Sequence, residues 1–264
     1  MKHLVKKHPE LVSFYLGQEN SWQESKCSHA GLNCLLSLPN LSSLSVERRV
    51  KTKPKNVFKI KSNQLQTIFL SGGFSEKYIT SLLETCKERL QHLKISNMVE
   101  MTDSFMVKSL QICGSTLISL DMSNSNATGE NLSEVKGQLL YLENLHLRSF
   151  TQLNDSGLLQ ILKLCGKSLR VLNISFSSIS GENLFEYPGS MLVDLTLSHC
   201  SQLSDQGLIQ IFKLCGRTLK HLNLSFSNIT GERILHCSET PLVVENLDLT
   251  ECKQITNKGL LQIL

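Results

Sequence analysis

The sequence predicts an α/β solenoid: a curved horseshoe with parallel strands on its concave face and helices or irregular turns on its convex face. Two observations predict this fold class. A short apolar pattern, Leu-x-Leu, recurs along the 264 residues at nearly regular intervals. In addition, residues 145–169 and 195–219 agree at 14 of 25 positions, mostly Leu, Ile, Cys and Gly. Residues repeated at fixed spacing usually build an architecture, since a catalytic site needs only one set of groups.

The Leu-x-Leu pattern occurs nine times, with successive intervals of 23 to 27 residues. Its copies begin at Leu44, Ile68, Leu93, Leu120, Leu145, Leu172, Leu195, Leu222 and Leu247. Such intervals are those of leucine-rich repeats, in which each repeat contributes one strand. We therefore expect a solenoid of about nine repeats over residues 41–264. Residues 1–40 are expected to form an N-terminal flank or a degenerate first repeat, with a tenth copy of the pattern at Phe14 and Leu16.

One repeat illustrates the physics of all of them. Leu195 and Leu197 alternate with polar residues, as in a short strand with one buried face. Ser204 or Asp205 can then cap the N-terminus of a helix. Four apolar residues follow at helical spacing and are expected to face the core: Leu208, Ile211, Phe212 and Cys215. Gly216 comes next, where a residue in the left-handed conformation typically ends a helix.

Two kinds of repeat alternate along the chain. One kind carries NDSGL, SDQGL or TNKGL before its helix, and the other carries SNATGENL, SSISGENL or SNITGERI before a less regular segment. One repeat of each kind makes a unit of 50 or 52 residues. This two-repeat period explains why residues 145–169 and 195–219 are so similar.

These repeats closely resemble the cysteine-containing leucine-rich repeats of F-box/leucine-rich-repeat proteins, whose pattern is similar to LxxLxLxxCxxITDxGLxxLxxxC. The best matches are LVDLTLSHCSQLSDQGLIQIFKLC (192–215) and VENLDLTECKQITNKGLLQIL (244–264). The resemblance covers roughly residues 40–264 and implies a domain that recognises substrates of a cullin-based ubiquitin ligase. Residues 1–40 do not read as an F-box, the helical segment that docks the ligase adaptor. Because the chain stops inside a predicted helix without a capping element, we expect a fragment or a chain whose ends need a partner.

Composition and charge exclude several classes of protein. With 41% apolar and 19% charged residues, the chain can bury a continuous core. A net charge of +4 permits an acidic partner but does not indicate a nucleic-acid-binding protein. No apolar run reaches the roughly 18 residues of a membrane helix, and no signal peptide is evident at the N-terminus. We therefore expect neither membrane insertion nor nucleic-acid binding.

The cysteines follow the repeat rather than a disulfide pattern. Of the nine, four stand four residues before a Leu, and two more recur in a second slot: Cys86, Cys113, Cys165 and Cys215, then Cys200 and Cys252. Cysteines tied to a repeat act as small buried apolar residues, whereas a disulfide framework belongs to short secreted domains. The pattern predicts a reducing compartment, so we expect a cytoplasmic or nuclear protein.

No enzyme or metal signature is present. The sequence lacks GxSxG, P-loop, HExxH and CxxC motifs, and the acidic pair Asp248 and Glu251 reads as solvated strand residues. Four histidines lie in different slots of separate repeats, which does not suit zinc: His92, His146, His199 and His221. We predict no catalytic residue, no cofactor and no metal.

The concave strand face is the default binding surface of a solenoid. The residues between the two Leu positions are expected to point outward: Ser45, Phe69, Lys94, Asp121, His146, Asn173, Thr196, Asn223 and Asp248. The next outward row is Glu47, Ser71, Ser96, Ser123, Arg148, Ser175, Ser198, Ser225 and Thr250. Most of this surface is small and polar, so it offers few anchors for a partner.

A richer cluster lies between Arg148 and Asp248. Phe176 and Phe226 occupy the same slot two repeats apart, with His199 between them. Aromatic residues framed by His and Arg are typical anchors of protein interfaces. The candidate partner-binding residues are His146, Arg148, Phe176, His199, His221, Phe226 and Asp248. Alternatively, both phenylalanines fold back as structural packing at the strand ends, and their recurrence in two repeats favours this.

The segment ERRVKTKPKNVFKIK (47–61) holds the one strong charge run, with seven Lys or Arg residues in fifteen. Pro54 indicates a loop in place of a repeat helix. The run is either a nuclear-localisation or acidic-partner patch, or a solvated loop.

Three functions remain open from the sequence. The leading one is a non-enzymatic protein-binding module, similar to the substrate-recognition repeats of an F-box-type ubiquitin-ligase subunit, with a protein partner on the concave face. The second is a free-standing scaffold or inhibitor without ubiquitin chemistry. The third is an enzyme with a site built across repeats, which no motif supports.

Overall fold

The computed structural model describes residues 7–17, 29–47, 64–98, 101–136, 139, 141–184, 190–232 and 243–263. Within these residues ten strands form one parallel sheet, and their spatial order is their chain order. The strands are β1 Ser13–Leu16, β2 Ser43–Val46, β3 Thr67–Ser71, β4 His92–Ser96, β5 Ser119–Asp121, β6 Asn144–His146, β7 Val171–Asn173, β8 Asp194–Thr196, β9 His221–Asn223 and β10 Asn246–Asp248. This architecture confirms the predicted α/β solenoid. Strand β1 includes Phe14 and Leu16 and pairs with β2.

The repeated leucines are aligned across the sheet. Leu195 of β8 pairs with Leu172 of β7 on one side and Leu222 of β9 on the other, and all three are buried. The pairing continues without a shift from Leu44 to Leu247. One register therefore places one apolar residue per repeat in a continuous core, because a shift by one residue would turn every leucine to the opposite face.

The described residues include six helices, whose apolar residues share one core with the strand leucines. They are α1 His29–Leu35, α2 Glu76–Cys86, α3 Asp103–Cys113, α4 Asp155–Cys165, α5 Asp205–Cys215 and α6 Asn257–Ile263, and a short 3₁₀ helix spans Glu130–Glu134. The predicted apolar face of α5 is buried as expected. Its N-terminus is capped by Ser204, whose hydroxyl accepts a hydrogen bond from the Gly207 amide at 3.0 Å. Thr102 and Asn154 cap α3 and α4 in the same way.

Asp205 has a different role, which the sequence reasoning missed. The equivalent Asp155 accepts hydrogen bonds from the amides of Ser180 and Gly181 at 2.9 and 2.8 Å, and from the Ser180 hydroxyl at 2.5 Å. The same arrangement joins Asp103 to Thr128 and Gly129, and Asp205 to Thr230 and Gly231. Each aspartate thus ties a regular helix to the turn of the following shorter repeat, which accounts physically for the two-repeat period.

The prediction for Gly216 was wrong. Its φ is −58° and its ψ −23°, a right-handed conformation that any residue adopts. Helix α5 instead ends in a tighter turn of the 3₁₀ type, because the backbone amides of Thr218 and Leu219 both bond to the Cys215 carbonyl. The Thr218 hydroxyl then donates to the Leu192 carbonyl at 2.7 Å. This bond to the preceding repeat directs the chain into β9.

The repeat-linked cysteines are buried thiols. Four of them are the last residues of their helices and lie in the core: Cys86, Cys113, Cys165 and Cys215. The Cys165 thiol donates to the Ile161 carbonyl at 3.1 Å. Burial raises the pKa of this thiol to about 12, so it stays protonated at neutral pH.

The predicted basic run over residues 47–61 lies outside the described residues except for Glu47. Among the described residues, no helix is both long enough and apolar enough to cross a membrane.

Candidate functional site

A row of left-handed residues follows strands β3 to β10, one after each strand. Each stands four positions after the first leucine of its repeat: Gly72, Asn97, Asn124, Ser149, Phe176, His199, Phe226 and Glu251, with φ between 57° and 64°. Gly and Asn tolerate this conformation, whereas for a bulky side chain it is rare and costs roughly 1–2 kcal/mol. Gly72, Asn97 and Asn124 are thus what the backbone favours, and Phe176 and Phe226 are not.

The left-handed turn places three rings on top of one another. The centroids of Phe176 and His199 are 4.1 Å apart at an interplanar angle of 10°. Those of His199 and Phe226 are 4.2 Å apart at 8°. The Arg148 guanidinium carbon lies 5.1 Å from the Phe176 centroid, within the range of a cation–π contact. We call these four residues the aromatic stack. They lie side by side because their parallel strands are neighbours about 4.8 Å apart.

Neither phenylalanine of the stack belongs to the hydrophobic core. Phe226 is 46% exposed and Phe176 is half-buried. The residue after the left-handed one is the one that turns inward: Phe150 and Cys200 are fully buried there. The alternative stated above was that Phe176 and Phe226 fold back and pack at the strand ends. In the structure, the inward position at the strand ends is held by the next residue of each repeat. The stack remains available at the edge of the sheet.

The second outward row is less exposed than expected. Ser96, Ser123, Ser175 and Ser225 are buried. The cause is a local turn at the end of each short strand. The Asn173 side-chain oxygen accepts bonds from the Ser175 amide and hydroxyl, at 3.1 and 2.8 Å. Asn223 does the same for Ser225. Since these groups satisfy one another, the exposed polar surface is narrower than the sequence indicated.

The other three candidate residues lie on strands outside the stack. His146 lies in β6, in register with Asp121 and Asn173, and is half-buried. His221 lies in β9, and its Nδ1 atom is 2.9 Å from the side-chain nitrogen Nδ2 of Asn246.

The Asp248 carboxylate in β10 accepts a hydrogen bond from the side-chain amide of Asn223 at 2.9 Å. Hydrogen bonds from Thr250, and then from Asn223, lower the pKa of its carboxyl. It therefore contributes a fixed negative charge to the sheet face at β10.

In the part of the chain that the structure describes, no group of three or more His, Cys, Asp or Glu side chains could hold a metal ion. The aromatic stack offers ring faces and the guanidinium of Arg148 as contact surface.

Known proteins share the repeat type and the fold. A family model described as "Leucine Rich repeat" matches residues 217–232, which include β9 and Phe226. The Caenorhabditis elegans protein named "Putative RNA-binding protein EEED8.10" is 29% identical over 121 residues, 46% of this chain. The match spans only 16% of that protein's length.

A solved structure of the Rad7 and Elc1 complex from yeast is similar to the whole array. It covers 95% of this chain and 73% of the matched chain, with a TM-score of 0.50 and 19% identity. At that identity the similarity extends to the fold and no further.

Proposed function

We propose that this chain, which has the fold of a leucine-rich-repeat solenoid, is a non-enzymatic module that binds a protein partner on its exposed sheet face and along the adjoining aromatic stack. The observation that carries this proposal is the stack itself. Arg, Phe and other aromatic side chains are enriched at protein interfaces, where a few such anchors provide most of the binding free energy.

The backbone of the stack supports a binding role. Phe176 and Phe226 both adopt a conformation that costs a bulky side chain roughly 1–2 kcal/mol, and neither recovers this cost through full burial. Strain without a structural return is typical of functional positions. Arg148 and His199 contact the rings directly, and His146, His221 and Asp248 add polar groups on the strands β6, β9 and β10.

We further propose that the partner is a substrate of a ubiquitin ligase. The support is the resemblance of the cysteine-containing repeats to those of F-box/leucine-rich-repeat proteins, and the fold shared with Rad7, which was solved in complex with Elc1. The alternative is a free-standing scaffold or inhibitor without a ubiquitin role. A cytoplasmic or nuclear location belongs to the same proposal, supported by the free thiols of the described cysteines.

Affinity capture from cell lysate tests these proposals. The full chain is compared with the double variant Phe176→Asn/Phe226→Asn, because Asn suits the left-handed backbone and removes the rings. Tyr141→Asn is the matched control, since Tyr141 is an exposed aromatic residue outside the stack. Partners retained by the control and lost by the double variant would support protein binding by the stack.

The composition of the captured set separates the two readings. Cullin-ligase components among the stack-dependent proteins would support the ubiquitin role, whereas stack-dependent proteins without any such component would favour the scaffold. Identical captured sets for the full chain and the double variant would show that the stack is not the binding site.

A further inference from the structure

The aromatic stack has one closed end and one open end. At the closed end the Arg148 guanidinium covers the outer face of Phe176. At the other end His199 covers one face of Phe226, and the opposite face is directed toward the next strand. Phe226 is 46% exposed, as expected for a ring with one free face. Among the described residues, the row of stacked rings ends at this face.

The next position of that row is Glu251. Glu251 shares the left-handed conformation of Phe226. The backbone amide of Phe226 donates a hydrogen bond, at 2.8 Å, to the carbonyl of Thr250, the residue before Glu251. The stack thus has a guanidinium, that of Arg148, at one end and a carboxylate, that of Glu251, beyond the other. A second carboxylate of this repeat, Asp248, lies three residues before Glu251 in the sequence, and hydrogen bonds from Thr250 lower its pKa. The open end is therefore acidic as well as aromatic.

The Glu251 carboxylate is only loosely engaged. In the described chain its one ion pair is with Lys253, at 3.3 Å, and the Lys253 side chain is 80% exposed. Exposed pairs of this kind contribute little to stability and exchange readily for a better partner. Asp248 is instead bonded to the side-chain amide of Asn223.

We infer that the open face of Phe226 binds the guanidinium group of an arginine presented by the partner protein, which stacks on the ring and pairs with Glu251. This inference rests on the proposed function and names the chemistry of its anchor. A guanidinium is planar, weakly hydrated and able to form two parallel bonds to a carboxylate, so it suits a ring face beside a glutamate better than a lysine does. Arg148 on Phe176 is the same contact made within the chain.

The same charges disfavour nucleic acid at this end. A base could stack on Phe226, but the attached phosphates would approach Glu251 and Asp248. Repulsion between phosphate and carboxylate opposes that arrangement.

The test uses phage-displayed random dodecapeptides selected on the full chain, with depletion on the Phe176→Asn/Phe226→Asn variant. We expect the stack-dependent peptides to share an arginine. Replacing that arginine with citrulline, its neutral counterpart, should weaken binding about 5- to 30-fold. Glu251→Gln should weaken binding in the same direction. Glu251→Arg should abolish it, because the new side chain can occupy the Phe226 face itself. Glu88→Arg, the same charge change at a distant exposed site, should have no effect.

The outcomes separate the inference from the function on which it rests. Peptides that need Phe176 and Phe226 but bind equally well with citrulline would overturn the arginine assignment and leave the proposed function standing. Peptides indifferent to both phenylalanines would contradict the proposed function as well. An oligo-uridine strand that binds the full chain and loses affinity on Phe226→Asn, with no stack-dependent peptide selected, would overturn the inference in favour of nucleic acid.

Discussion

Phe176 and Phe226 occupy backbone positions that suit other residues better. Asn97 and Asn124 fill the same slot in earlier repeats with the same positive φ. Asparagine reaches this conformation more readily than phenylalanine because its short side chain can bond to the local backbone. The two phenylalanines are therefore better explained by what they present to the outside than by what they contribute to folding.

The variant Phe176→Asn/Phe226→Asn should therefore change the free energy of unfolding little. The loss of the ring stack, about 0.5–1.5 kcal/mol per pair, is offset by the relief of strained backbone, roughly 1–2 kcal/mol per residue. Urea unfolding measures the net effect. Phe150→Ala is the control, since that ring is fully buried and its removal should cost about 3–5 kcal/mol. A loss in the double variant as large as that of the control would mean that the stack is structural.

At the scale of the elements, repeats are joined by polar contacts between a helix start and the next turn. Asp155 lies in the first turn of α4 and bonds to Ser180 and Gly181 of the following repeat. Backbones also meet there: a Cβ atom on Gly207 would lie 1.8 Å from the Ser180 carbonyl oxygen. The distance between helix and turn, which recurs along the array, thus depends on a carboxylate and on the absence of a side chain at Gly207.

We expect Asp155→Ala to destabilise the protein by about 1.5–3 kcal/mol. The change leaves the amides of Ser180 and Gly181 without their charged acceptor at a partly buried site. Chemical denaturation measures the loss, with Glu143→Ala as an exposed acidic control. Equal stability of the two variants would mean that water replaces the carboxylate without cost.

Gly207→Ala should be more damaging, by more than about 3 kcal/mol, because the new methyl group overlaps backbone rather than a movable side chain. Thermal unfolding compares it with Gln206→Ala, the exposed neighbour on the same helix turn. A Gly207→Ala protein with a normal melting temperature would show that adjacent repeats can separate freely.

At the scale of the whole molecule, buried thiols run along the array. Burial raises the pKa of Cys86, Cys165 and Cys215 from 9.0 to about 12, and that of Cys113 also rises. In the unfolded chain these thiols ionise near pH 9, whereas in the folded chain they stay protonated. Their contribution to stability is complete below pH 9 and is lost as the pH rises toward 12.

The free energy of unfolding should therefore fall between about pH 9.5 and 11, by about 1.4 kcal/mol per pH unit for each buried thiol. Urea titrations across this range measure the slope. Cys165→Ala removes one thiol and should reduce the slope by that amount, which separates cysteine from lysine and tyrosine titration. An unchanged slope in Cys165→Ala would contradict the buried, protonated thiol.

The sequence was sufficient to predict the fold, because one apolar residue per repeat must face the core. A period of 23 to 27 residues with that alternation allows parallel strands in chain order, and the structure has them. The buried cysteines and the Ser204 cap follow from the same local rules. The slot holding Gly72, Asn97 and Asn124 also carried a signal, since Gly and Asn recurring at one position indicate a left-handed residue, but Phe176 and His199 obscured it.

The sequence by itself thus determined which residues enter the core and how the repeats succeed one another, since both depend on local periodicity. Only the tertiary structure decided that Phe176, His199 and Phe226 stack on one another, that Asp155 bonds to the next repeat, and that Ser175 is buried. These contacts join residues 2 to 27 positions apart through turn geometry and strand register. A φ of about +60° turns a side chain away from the direction that strand alternation predicts. The alternation of apolar and polar residues therefore does not reveal where that side chain points.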